Sequence, residues 1–370
     1  MQIRKRLAAW LTVALTALLL QYLMLALGQL LSGGLTLQTL WQAMVNRWTT
    51  AGDSPRYLDI AQNGYVRTGE NAINLVFYPL YPLLIRGFSW LTGSLAVSGV
   101  IISQVCFAAS CVVLYELMLL ERCERAEAWL AVLLLNLYPF SAFVMGVFSE
   151  GLFLLLTMLC MLLLRKKRFA AAGAVGFLAA LTRVQGMLLF FPALYEAYAC
   201  VRAKERRVRD TLPMLLIPLG FVVYLGINWA LHGDCLKFLA FEANEPWYQT
   251  TQWVGRNIST QYDLAAQHPG LSMIIYAPQI ALYFAAGALI LGGVLRGERL
   301  SYSLYALAYL GFTYLSGWMI SGGRYMMACF PLFMQLARVR EGFRRNALLM
   351  LFVLLGVAYH TLYYAGFAIM

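Results

Sequence analysis

The chain has 370 residues, of which 61% are hydrophobic and 12% charged, and it carries a formal net charge of +11. Soluble globular chains hold about 45–50% apolar and about 25% charged residues, so this composition excludes a soluble enzyme, a disordered chain, a coiled coil and a collagen-like fibre. It leaves a polytopic membrane protein, and the basic excess sits in short clusters between apolar stretches, a pattern that orients a membrane protein and does not point to nucleic acid.

From the N-terminus, MQIRKR precedes an apolar run too long for a signal h-region and without a small-residue cleavage site, so it reads as a retained first helix. A helix needs about 20 mostly apolar residues to cross the hydrocarbon core. The sequence then predicts eleven spans, at 8–31, 95–120, 126–147, 151–164, 169–182, 186–200, 211–231, 271–295, 300–320, 326–337 and 347–367. The fourth, fifth and tenth are short, which is tolerated beside a cavity or other protein. With the N-terminus inside, the 28 Lys and Arg fall on the cytoplasmic side except for Arg47, Arg56, Arg67, Arg86, Arg183, Lys237, Arg256 and Arg324. That bias gives an N-in, C-out topology.

Two outer loops are long, 32–94 and 232–270, whereas the inner loops are short and basic. Chemistry is expected on the face that keeps the long loops. No repeat of fixed period and no inverted-repeat signature is visible, so residues 1–370 read as one integral-membrane domain. The cysteines fall mostly within or beside apolar segments, and only Cys235 lies in a long polar loop; there is no disulfide framework and no CxxC. His232, His268 and His360 are scattered and make no metal signature.

The first long loop contains GDSPRYLDIAQNGY and then FYPLYPLLIR, with Asp53, Arg56, Tyr57, Asp59 and Tyr65 ahead of Phe77, Tyr78, Pro79, Tyr81 and Pro82. Gly52 before Asp53 and Pro55 after it predict a tight turn into a short helix through Ala61, with Tyr57, Ile60 and Ala61 on one side and Gly64 at its end. Asp53 then stands at the helix start, where an ionised carboxylate is stabilised. It reads either as a plain N-cap or as a reactive group held at the membrane surface. Glu150, in FSEGLF, opens a helix and reads either as a cap or as a functional carboxylate. Arg183, in ALTRVQG, and Arg324, in GGRYMMACFPLF, are lone cations at matching depth on the outer border. Each either snorkels to the interface or offers a planar fork to a phosphate, which Arg serves better than Lys. The loop 232–270 adds Asp234, Lys237, Glu242, Glu245, Trp247, Tyr248, Trp253 and Arg256, whose aromatics fit an interfacial belt more readily than a sugar platform. Glu116 and Glu196 fall near inner helix ends.

The first-loop stretches resemble the signature of the GPI mannosyltransferase 2 (PIG-V-like) family, a branch of the GT-C membrane glycosyltransferases. FSEGLF, a basic inner loop and LTRVQG resemble that family's next stretch, and GGRYMMACFPLF resembles its late Arg-Tyr motif. The matches keep their order over residues 47–333, with one departure: family members usually have Trp before the loop aspartate, where this chain has Gly52, and Trp48 stands five residues ahead of Asp53. The resemblance implies an all-α GT-C-type fold and inverting transfer of a sugar, mannose in the eukaryotic relatives, from a polyprenyl-phosphate carrier to the hydroxyl of a glycan or glycolipid acceptor. On that reading Asp53 is the general base, and Arg183 and Arg324 meet the phosphate. Arg56, Tyr57 and Tyr325 supply further hydrogen bonds, while Asp59 and Glu150 hold hydroxyls or orient a cation. A monophosphate donor beside arginines makes a metal unnecessary, so neither metal nor cofactor is expected; the partners are the lipid-linked sugar, the acceptor and membrane lipids. In a bacterium the outer face is the extracytoplasmic side of the plasma membrane.

Two rivals stand beside this reading. A transporter or lipid flippase needs charges along a path through the bilayer, and here they gather at the outer border. A non-catalytic assembly subunit needs Asp53 only as a cap.

Overall fold

The computed structural model describes residues 2–317, 321–367 and 369. In chain order its α-helices begin with α1 (Gln2–Ser32), α2 (Leu37–Trp48), α3 (Ser54–Asn63), α4 (Leu80–Thr92), α5 (Leu95–Leu120) and α6 (Arg125–Asn136). Next come α7 (Glu150–Arg165), α8 (Phe169–Ala180), α9 (Phe190–Arg202), α10 (Val208–Thr211), α11 (Leu216–His232), α12 (Lys237–Glu242) and α13 (Val254–Gln267). The last are α14 (Pro269–Leu271), α15 (Ala277–Leu295), α16 (Leu300–Tyr314), α17 (Gly322–Met326), α18 (Pro331–Leu336) and α19 (Phe343–Tyr364). Among the described residues there is no strand beyond an isolated antiparallel bridge between Thr251 and Ser316.

Six helical stretches are long and apolar enough to cross a membrane: Arg4–Ser32, Leu95–Leu120, Val184–Arg202, Val208–His232, Pro269–Leu295 and Phe343–Tyr364. They fall on six of the eleven expected spans. The other five expected segments hold shorter helices, namely α6, α7, α8, α16 and the pair α17 and α18; the last three residues of the segment 300–320 lie outside the described residues. Burial explains how such short apolar helices persist. Leu130, Ala131, Val132, Leu134 and Leu135 of α6, and Leu154, Met158, Cys160 and Met161 of α7, are almost wholly covered by protein. A helix shielded in this way has its backbone and apolar side chains satisfied without matching the lipid thickness.

The chain forms two compact units, one of Met1–Leu58, Ile85–Met158 and Phe330–Ile369, the other of Asp59–Leu84 and Leu159–Cys329. In the first, α1 packs on α19, α5, α6 and α2. Its interior polar groups are matched: Gln21 Nε2 donates to the Asn136 carbonyl at 2.9 Å, and Ser141 Oγ donates to the same carbonyl at 2.7 Å. Glu116 is buried rather than a loose helix end, and accepts from Arg6 and from Trp10 Nε1, the latter at 2.7 Å.

In the second unit α8 packs on α11, and α16 packs on α9 and α15. Glu196 of α9 is fully buried and takes a bidentate clasp from Arg299, at 2.7 and 2.6 Å, with Arg165 at 3.6 Å. Removing one partner of a buried ion pair costs about 3–5 kcal/mol, and the lower end applies here because Arg299 keeps some solvent contact. Glu196→Gln is therefore expected to lower the unfolding temperature in detergent markedly, and the double variant with Arg299→Gln to recover part of the loss.

Candidate functional site

The turn before α3 sets the position of Asp53. Gly52 has a left-handed φ of 57°, a conformation in which a bulky side chain is strained, so the tryptophan usual in the resembled family does not suit this turn. The Asp53 carbonyl accepts the N–H groups of Arg56 and Tyr57, each at 3.1 Å, which puts Asp53 at the start of the helix. The helix runs on to Asn63 and ends at Gly64, whose N–H donates to the Ile60 carbonyl at 2.8 Å. Tyr57, Ile60 and Ala61 are its buried side.

Trp48 anchors this region. Its carbonyl accepts the Ser54 hydroxyl at 3.2 Å and the Val147 N–H at 2.7 Å, so the stretch leading into α7 is fastened to the stretch leading into α3. Its indole N–H donates to the Tyr364 hydroxyl at 3.2 Å. Tyr57 then reaches Ser149, hydroxyl to hydroxyl, at 2.9 Å, immediately before Glu150 at the start of α7. Asp53, Arg56, Tyr57 and Glu150 thus belong to one unit and to one local framework, with Asp53 and Arg56 half-buried and Tyr57, Ser149 and Glu150 buried.

Asp59, Arg183, Arg324 and Tyr325 belong to the other unit. Both Asp59 oxygens accept side-chain amides, from Asn63 and from the buried Asn74, each at 2.8 Å. They bind the end of α3 to the turn Glu70–Val76, whereas the sequence left open a hydroxyl or a cation as the partner.

Arg183 sits in a tight corner after α8. Its N–H donates to the Ala179 carbonyl at 3.1 Å, and its carbonyl accepts the Gly186 N–H at 2.9 Å. Gly186 lies so close to the Ala179 backbone that any Cβ there would collide with it. The Leu80 N–H donates to the Leu181 carbonyl at 3.0 Å, tying the aromatic and proline run of the first long loop to this corner. The half-buried Arg183 guanidinium lies over the Tyr325 ring, 4.8 Å from its centroid. The neighbouring Arg324 is buried at 2% exposure. Three hydrogen bonds fix the backbone of α17 and of the turn that follows it. Tyr309 donates to the Tyr325 carbonyl at 3.2 Å, Tyr305 donates to the Ala328 carbonyl at 3.4 Å, and the Gly323 N–H donates to Gln279 Oε1 at 2.7 Å. The Leu-Thr-Arg and Gly-Gly-Arg-Tyr stretches, with Arg183 and Tyr325 142 positions apart, are thereby joined at a cation–aromatic contact of a kind worth about 0.5–2 kcal/mol.

A third cluster, of which the sequence named Tyr78 and Glu242 without joining them, borders this corner. The Tyr78 and Tyr224 rings stack at 3.9 Å and 22°, the Tyr224 hydroxyl donates to the Leu75 carbonyl at 2.7 Å, and Phe238 meets Tyr224 edge-on at 5.2 Å. Val184, next to Arg183, packs against these rings. Half-buried Glu242, at the end of α12, has its carboxyl pushed up to about 7 by loss of water contact. Tyr224 lies in an apolar span and Glu242 among several loop charges, so nothing local in the sequence joined either to the aromatic run that holds Tyr78.

A carboxyl raised in the folded state binds its proton more tightly there than in the unfolded chain. Its stability contribution is complete below the ordinary carboxylate range, near pH 4, and is lost as pH rises through about 7. Glu242→Gln is expected to unfold at a higher temperature than wild type at pH 8, with the gap closing toward pH 5. Thermal scans at the two pH values check this.

Among the described residues no three His, Cys, Asp or Glu side chains converge in a way that would hold a metal ion. Comparison with curated proteins finds no match, and comparison with solved structures finds none either. Residues 78–229, which include Tyr78, Glu150, Arg183 and Tyr224, match the family model described as dolichyl-phosphate-mannose-protein mannosyltransferase, and this similarity supports a mannosyltransferase-like glycosyltransferase with several membrane-spanning helices.

Proposed function

We propose that the protein transfers mannose from a polyprenyl-phosphate carrier to an acceptor hydroxyl on the outer membrane face, with inversion, as a PIG-V-like member of the GT-C glycosyltransferases. The observation that carries this reading is the Arg183–Tyr325 contact, because it gathers two arginine motifs from distant parts of the chain into one corner at the end of an apolar helix. Gathered cations suit a phosphate leaving group. In the reaction the acceptor O–H gives its proton to the Asp53 carboxylate while its oxygen bonds to the sugar C1. The C1–O bond to phosphate breaks, its electron pair leaves on the phosphate, and Arg183 and Arg324 meet the developing charge. Arg56, Tyr57 and Tyr325 add hydrogen bonds, Glu150 holds a hydroxyl, and Asp59 keeps α3 in place. The short, basic inner loops support reading these groups as extracytoplasmic, at the plasma membrane in a bacterium.

Proteoliposomes given radiolabelled polyprenyl-phosphate mannose, or a nucleotide-linked mannose, with a membrane lipid extract test the reading. Label is expected in product from the lipid-linked donor alone, with free polyprenyl phosphate released in equal amount. Movement of the intact donor across the bilayer without cleavage would instead favour a flippase. Arginines in place of a divalent ion also predict that EDTA leaves the transfer rate unchanged.

A further inference from the structure

The buried ring pair behind Arg183 differs from the aromatic belt expected of the second outer loop. Belt residues reach the interface, as Tyr248 and Trp253 do at 60% and 75% exposure, whereas Tyr78 is 6% exposed. The Tyr78 hydroxyl nevertheless has no hydrogen-bond partner among the described residues. A phenol that deep normally finds one, since leaving it unmet costs about 1–3 kcal/mol. Its own ionisation is pushed well up by burial and then by Tyr224, Glu242 and Tyr65, so it remains a donor at any working pH. Glu242 stands one helical turn beyond Phe238 on α12, and Phe238 packs in the same cluster as Tyr78. Phe77, the preceding residue, meets the half-buried Trp247 ring edge-on at 6.0 Å. A fixed O–H donor, a carboxyl and a half-buried flat ring make a set suited to a saccharide, whose hydroxyls need donors and acceptors and whose C–H face needs an apolar platform.

We propose that Tyr78, Glu242 and Trp247 form a subsite for one neutral sugar ring of the acceptor. A desolvated carboxyl disfavours a phosphate, which belongs with the arginines, so the ring held here is uncharged. Val184 links this subsite to the Arg183 corner. The assignment of the ring to the acceptor rests on the sugar-transfer reading above; the binding of a sugar does not.

The ligand's hydroxyls take the place of water around the carboxylate, so binding favours the ionised form. The titratable groups acting with Glu242 are Tyr65, Tyr78 and Tyr224, while Glu70 opens the turn packed on α12, and Asp234, Lys237 and Arg67 surround His232 at the end of α11. Desolvation is what raises Glu242, to about 7. If the ionised form alone binds, affinity rises about tenfold between pH 6 and pH 8.

The test is saturation-transfer NMR with methyl α-mannoside as probe, on the full chain in detergent, alongside the transfer assay. Wild type is expected to bind more tightly at pH 8 than at pH 6. Glu242→Gln should bind several-fold more weakly at pH 8 and show no pH dependence, and Tyr78→Phe, which keeps the ring stack, should bind several-fold more weakly while keeping the pH dependence. In transfer, both should raise the acceptor KM more than they lower kcat. Unchanged binding in Tyr78→Phe and Glu242→Gln overturns the subsite, even with wild-type transfer intact; Tyr78→Phe decides alone if the other variant fails to fold. Variant-sensitive binding by a wild type that transfers from no donor upholds the sugar subsite and removes its assignment to an acceptor.

Discussion

Asp53→Asn is expected to lower kcat for sugar transfer by about 10²–10⁴-fold, the range in which positioned general bases contribute, with little change in the acceptor KM or the unfolding temperature. The choice of asparagine separates the two roles open to this residue. Asp53 stands where the Arg56 and Tyr57 N–H groups return to its carbonyl, an N-cap position. Asparagine caps a helix as well as aspartate does, so a residue that only caps would lose almost nothing on this change. It cannot accept a proton as a carboxylate does, so a base would lose nearly all activity. Asp53→Ala removes both properties and adds a stability loss of about 1 kcal/mol. A scaffold protein would register that stability loss in the alanine variant and no transfer defect in either. The experiment reads single-turnover rates in proteoliposomes together with thermal unfolding, and near-wild-type turnover in Asp53→Asn would remove the base assignment.

The short helix that displays Asp53 was legible in the sequence because its signals are local: Gly52 and Pro55 at one end, Gly64 at the other, and apolar residues at helical spacing between. The six long apolar helices were legible for the same reason. What local pattern did not reveal was pairing between distant segments. Nothing near Asp59 in the chain announces Asn74 as its partner, and nothing in the apolar run around Tyr224 announces a stack with Tyr78. Glu116 and Glu196 read as helix-end charges because the cations that clasp them, Arg6 and Arg299, lie more than 100 positions away. Span counting met the same difficulty. An apolar segment covered by other helices and one facing lipid have the same composition, so local pattern does not tell the short helices α6 and α7, which protein covers, from the long apolar ones.

Arg183 has the largest expected effect in the second unit. Its guanidinium lies over the Tyr325 ring, in a corner closed by Gly186 against Ala179. If the arginine meets charge that develops on the leaving phosphate, Arg183→Ala should reduce kcat by about 10²–10³-fold, as loss of one preorganised donor does elsewhere. Arg183→Lys is the sharper change. Lysine restores the positive charge but not the planar fork or the stacked orientation, so activity should return only in part. An arginine that merely snorkels to lipid headgroups would be replaced by lysine without loss, since both side chains reach the interface with an apolar stem and a charged tip. Tyr325→Phe keeps the ring face beneath the cation and should leave most of the rate, whereas Tyr325→Ala, which frees the guanidinium to wander, should approach the lysine variant. That order, phenylalanine above lysine and tyrosine-to-alanine above arginine-to-alanine, is the readout: it requires the orientation of the cation to matter, and equal rates for Arg183→Lys and wild type would show that it does not.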